Sequence, residues 1–212
     1  MLSGEYARVV LSLKNKISEW KLVRGGLALT PVEAGFDVLI VSMQPIGFLS
    51  ERKWTFTAPV TLSEPVENLA DTYRVLKAME CEVKVGGLLK RRYKFVESSV
   101  RRALFPTLAF DDRLARYLES SGEVMALLRK ASPDELYVNT YYELEPGRSA
   151  IQCILESYRN PSKLGWLIVA SKGPGVELLL PRVVRSMFEL LDSMARHLRE
   201  FTRELIAKGN SF

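Results

Sequence analysis

Between residues 5 and 21 the apolar positions Tyr6, Val9, Val10, Leu13, Ile17 and Trp20 recur at helical spacing, with Lys14, Lys16 and Glu19 off the stripe. Residues three and four apart share one helix face, so this pattern predicts an N-terminal helix over 5–21. Arg24-Gly25-Gly26 is its stop signal. The period then changes to two. Leu27 and Leu29 precede Pro31, and Phe36, Val38 and Ile40 alternate with Asp37, Leu39 and Val41, which predicts a strand apolar on both faces. Trp54, Phe56, Ala58 and Val60 alternate with Lys53, Thr55 and Thr57, a strand with one wet face.

Ser63-Glu64-Pro65 is a helix start, since serine caps and proline is tolerated in the first turn. Leu69, Tyr73, Leu76 and Met79 give the helix over 64–80 its buried stripe. Gly86-Gly87 then predicts a turn into the strand-like run Leu88 to Val96. Asp111-Asp112 opens a helical stretch that breaks near Ser120-Ser121-Gly122 and resumes to Lys130. Three antiparallel strands follow, over 136–144, 150–158 and 164–170, turned at Pro146-Gly147 and Asn160-Pro161.

The last element is the clearest. Val184, Met187, Leu191, Met194, Leu198, Phe201 and Leu205 are spaced alternately three and four apart, between Pro181 and Gly209. A helix of about 25 residues spans nearly 40 Å. Its apolar face either lies across the sheet or pairs with a second copy as a coiled coil, because the spacing averages 3.5. The expected fold is α+β: a mostly antiparallel sheet packed by this long C-terminal amphipathic helix, with an N-terminal helix and a helical insertion near 111–130. The chain of 212 residues reads as one domain over 1–212, with 1–50 as a candidate decoration.

Composition closes several options. At 47% hydrophobic and 26% charged, the chain is neither disordered nor fibrous. Met1 to Glu5 lacks the basic n-region of a signal peptide, and no apolar run approaches the ~20 residues of a membrane helix, so a cytoplasmic protein without a membrane span is expected. Two glutamines against thirty basic residues suit a thermophile. Cys81 and Cys153 allow a disulfide but do not imply one, since the framework pattern of small secreted domains is absent. One histidine and two distant cysteines make no zinc site. Asp111-Asp112 suits a helix cap better than a metal, and no metal or cofactor is expected. A Ser–His or Cys–His pair must use His197, which lies beside the apolar stripe of the last helix. No nucleophile elbow or phosphate loop occurs. No catalytic residue is assigned, and the reading leans away from an enzyme.

One segment stands out. Residues 84–102 hold seven cations, Lys84, Lys90, Arg91, Arg92, Lys94, Arg101 and Arg102, against Glu97 alone. The segment nets +6 where the whole chain nets +5, so the remainder nets −1. On a strand, Lys90, Arg92 and Lys94 share one face while Arg91, Tyr93 and Phe95 share the other. Such a row tracks a phosphate backbone, with Tyr93 or Phe95 available to stack a base if exposed; buried aromatics would instead leave a solvated edge.

The element order over 53–207 resembles the helix-grip arrangement of START-like lipid-binding domains, apart from the helical stretch 111–130. That resemblance implies a cavity between sheet and helix, lined by Trp54, Phe56, Tyr142, Trp166, Met187 and Met194. Two functions follow as expectations. The first is a non-catalytic module binding a protein partner or a hydrophobic ligand between sheet and C-terminal helix, with the helix also a candidate homodimer contact. The second is binding of nucleic acid or an acidic partner through 84–102.

Overall fold

Ile17–Val23 (β1) and Gly26–Pro31 (β2) form a hairpin turned at Arg24-Gly25, where Gly25 takes a φ of +89°, a backbone angle that favours glycine. This corrects the N-terminal helix over 5–21. In the structure, a computed structural model, the helix α1 spans only Gly4–Ser12. The segment 17–23 fits both periods. Strand pairing prevails because Trp20 and Leu22 fall opposite Leu29 and Leu27. The structure describes residues 4–46, 51–61, 75, 77–87, 90–104, 106–107, 109–140, 166–172 and 179–209.

The remaining strands are Leu39–Ile46 (β3), Glu51–Thr61 (β4), Cys81–Gly86 (β5), Arg92–Val96 (β6), Glu135–Thr140 (β7) and Trp166–Lys172 (β8). They form one eight-stranded sheet in the order β1-β2-β3-β4-β8-β7-β5-β6, antiparallel throughout. Two boundaries differ from the sequence pattern. The strand expected over 36–41 begins at Leu39, because the preceding loop turns inward and buries Phe36 against Phe188 at 5.3 Å. The strand expected from Leu88 begins at Arg92 and pairs with β5, which the pattern did not single out. The expected helix over 64–80 lies largely outside the described residues, as does the strand over 150–158; Val75, Lys77 and Ala78 are helical.

Four further helices follow: α2 (Ser99–Leu104), α3 (Arg113–Ser120), α4 (Gly122–Ala131) and α5 (Pro181–Gly209). The α3–α4 pair is the expected insertion, and α5 is the long C-terminal helix. Asp112, not Asp111, occupies the N-cap position of α3, and Asp111 instead accepts from Arg113 N at 3.0 Å.

All seven stripe residues of α5 are buried against the rest of this chain, so the stripe is not open for a coiled coil. Residues from α1, α3, α4 and α5 join the inward residues of the sheet in one hydrophobic cluster. Each large side chain so buried contributes about 1.5–3 kcal/mol. The loop 33–38 is held against α5 where Gly35 N donates to Asp192 Oδ1 at 2.6 Å. A Cβ on Gly35 would meet the Asp192 carbonyl and Arg196 N at 2.9 Å, so that approach requires glycine. On the opposite sheet face Ser42, Lys53, Thr55, Thr57, Glu135 and Tyr137 are half-buried. No described helix is long and apolar enough to cross a membrane.

Candidate polyanion-binding edge

The β5–β6 hairpin ends the sheet, and its register decides where the cations go. Val83 pairs with Phe95, Lys84 with Lys94, Val85 with Tyr93 and Gly86 with Arg92. Side chains alternate along a strand, so Val83 and Phe95 enter the core while Lys84, Arg92 and Lys94 stand together on the other face. The expected alternation holds from Arg92 to Phe95, while Lys90 and Arg91 precede the strand. Directly opposed residues have Cβ atoms roughly 5 Å apart, which places two ammonium stems side by side. Lys84, Lys90, Arg92 and Lys94 are exposed and form no ion pair among the described residues. Gly87 turns the chain with a φ of +90° and lies so close to the Lys90 carbonyl that a Cβ would collide with it.

Arg91 faces the helices instead. It pairs with Asp134 at 2.8 Å and donates to the Ser132 and Pro133 carbonyls at 3.0 and 3.4 Å. Burial works against its charge, but Tyr93 and Asp134 outweigh burial and hold its pKa above the ordinary arginine value. Tyr93 is half-buried, packs on the core and donates its hydroxyl to Ser132 Oγ at 3.0 Å. Phe95 is buried. The two aromatics therefore support the strand and present no open stacking platform. Arg102 is exposed and lies 3.4 Å from Glu97, while the side chain of Arg101 is outside the described residues.

Beside Arg91 the junction of α4 and α5 leaves a cleft of about 520 Å3, lined by Arg91, Lys130, Ser132, Arg182, Val183 and Ser186. Lys130 is held by Glu189 at 2.7 Å. The hydrogen bond from Lys130 draws the Glu189 carboxyl below the ordinary glutamate range, with Lys16 at 3.4 Å adding to the effect against burial. Arg182 is exposed and has no ion-pair partner among the described residues. Ser186 is buried, and its hydroxyl makes no hydrogen bond among the described residues. The cleft thus reaches Arg91, the residue before β6, whereas the Lys84–Lys94 row stands on the strands themselves. Lys130, Arg182 and Ser186 carry no local sequence signal and are assembled by the fold.

The six cavity candidates separate. Trp54, Phe56, Met187 and Met194 are fully buried members of the core. Trp54 meets Tyr6 edge-on at 5.9 Å, and its indole Nε1 has no acceptor among the described residues. Tyr142 and the side chain of Trp166 lie outside the described residues.

His197 has a serine partner that sequence spacing did not reveal. Its Nδ1 donates to the Ser193 carbonyl at 2.9 Å, and its Nε2 lies 2.9 Å from Ser121 Oγ. Ser121 Oγ also caps α4 by accepting from Val124 N at 3.3 Å. The pair ties the start of α4 to α5. Cys81 is a buried thiol whose pKa is pushed up by burial and then by Glu119, Glu80 and Glu82, which leaves it unreactive. No cluster of metal-ligating side chains occurs among the described residues. Comparison with known proteins finds no family model, no curated protein and no solved structure that matches this chain.

Proposed function

We propose that this chain is a non-catalytic binding module that holds the phosphate backbone of a nucleic acid along β6. The observation that carries the reading is the Lys84–Lys94 pair, two like charges directly opposed with Arg92 beside them; Glu82, two residues along the same face, accepts from Ser99 and forms no ion pair with either lysine among the described residues. Like charges in that position weaken a sheet. A bound polyanion removes the repulsion and releases its own counterions. The cleft adds Arg182, which has no ion-pair partner among the described residues, while Arg91 and Lys130 are held by Asp134 and Glu189. Buried Phe95 and tethered Tyr93 argue for backbone contact without base stacking, hence little sequence preference. Hydrophobic-ligand binding has less support, because the described cavity candidates are enclosed in the core. The reading places the protein in the cytoplasm with nucleic acid.

The test is a salt titration of binding to single- and double-stranded oligonucleotides. Contacts with about three phosphates give a log–log slope of roughly −2 to −3. Lys84→Glu with Lys94→Glu is expected to abolish binding and leave the circular dichroism spectrum unchanged. A flat slope, or full binding by that variant, rejects the reading. Capture of acidic peptides with no oligonucleotide binding assigns the edge to an acidic protein instead.

A further inference from the structure

The other end of the sheet is an open strand of different chemistry. β1 has no partner on its outer side among the described residues, and Ser18, Glu19, Trp20, Lys21 and Leu22 are all exposed. Trp20 is 46% and Leu22 55% exposed. They lie opposite Leu29 and Leu27, which are fully buried, so they continue the helix-covered apolar face past the sheet's rim. Edge strands are ordinarily protected by unbalanced charge, proline or bulges. Here the single lysine is balanced by Glu19 two residues away, and the register irregularity lies between Ile17 and Glu19, leaving 19–23 regular.

We infer that β1 is a self-complementary interface that pairs antiparallel with β1 of a second copy about a two-fold axis at Trp20. In that register Trp20 faces its own counterpart, Glu19 faces the second copy's lysine, and Lys21 faces its glutamate. Leu22 falls opposite the second copy's serine and diagonal to its tryptophan. Every charge on the strand is thereby matched by an opposite one. Moving the axis by one residue sets Glu19 against glutamate or Lys21 against lysine, so charge selects a single register. A two-fold interface is isologous, as most soluble homodimers are. The opposite edge behaves differently: centring β6 on Tyr93 or Lys94 opposes cation with cation.

Light scattering across a concentration series from micromolar to millimolar tests this, independently of what the basic edge binds. The wild-type mass is expected to rise from 24.0 kDa toward twice that value. Glu19→Lys alone and Lys21→Glu alone each shift the midpoint of that rise at least tenfold higher in concentration. The double variant Glu19→Lys with Lys21→Glu restores it, because the charges match again in the same register. Trp20→Lys keeps the protein at the monomer mass. A constant 24.0 kDa, a dimer unaffected by either single substitution, or failure of the double variant to recover overturns the inference.

Discussion

Lys84 and Lys94 face one another across the last ladder of the sheet, and neither has an acidic partner among the described residues. Their repulsion has a measurable cost. Lys84→Gln is expected to stabilise the free protein by about 0.5 kcal/mol in low salt. The gain should vanish near 1 M salt, where screening acts within about 3 Å. Urea denaturation at the two ionic strengths checks it. A gain that persists in high salt would show that the charges are not its origin.

Ser121 is both a cap and a partner of the His197 ring. Ser121→Ala removes the α4 cap and leaves His197 Nε2 without that partner. It should cost about 1–2 kcal/mol, and His197→Ala somewhat less. A double-mutant cycle in urea should show the two coupled, since they share one bond.

Gly35 rests on the backbone of α5. Gly35→Ala forces loop and helix apart, because the contacts at 2.9 Å include main-chain atoms that cannot swing aside. A loss of about 1–3 kcal/mol is expected, read as a lower midpoint in thermal denaturation.

Acid and alkali act through different groups. The folded pKa of Glu189 lies below its unfolded value, so its stabilisation is present above the ordinary glutamate pKa and is lost as pH falls through the folded one. Glu189→Gln should therefore be less stable than wild type at pH 7, with the gap closing below about pH 4. Tyr137 behaves in the opposite sense. Burial, then its hydrogen bond to Glu135 at 2.9 Å, pushes its pKa up to about 12. Between the ordinary 10.0 and about 12 the unfolded chain loses a proton that the folded chain keeps, so stability falls with rising pH. Tyr137→Phe should flatten that decline, and ultraviolet titration of the phenolate gives a direct check.

Long, uniform periodicity was legible in the sequence; short segments were not. The stripe from Val184 to Leu205 admits only a helix, though not what that helix packs against, and α5 follows it. Residues 17–23 fit a helix as well as a strand, and only the pairing with Leu27 and Leu29 decides between them. β5 gives little sequence signal because Glu82 and Lys84 dilute a six-residue strand. At the candidate site, composition located the cations and period two sorted them between faces. The opposition of Lys84 to Lys94 depends on hairpin register, and the approach of Lys130 and Arg182 to Arg91 depends on helix packing, so neither is written locally.

β8 is the keystone of the sheet in time as well as in space. β1 to β4 form one consecutive meander, and β5, β6 and β7 pair among themselves. Among the described residues only β8 joins these halves, with Thr55 of β4 and Glu135 of β7 both opposite Lys172. During synthesis both halves must wait for it with an inner edge unpaired and with the apolar face that α5 will cover still bare. The chain is therefore most prone to aggregate just before its last quarter emerges, and closing the β4–β8 pairing over more than a hundred residues should limit its folding rate.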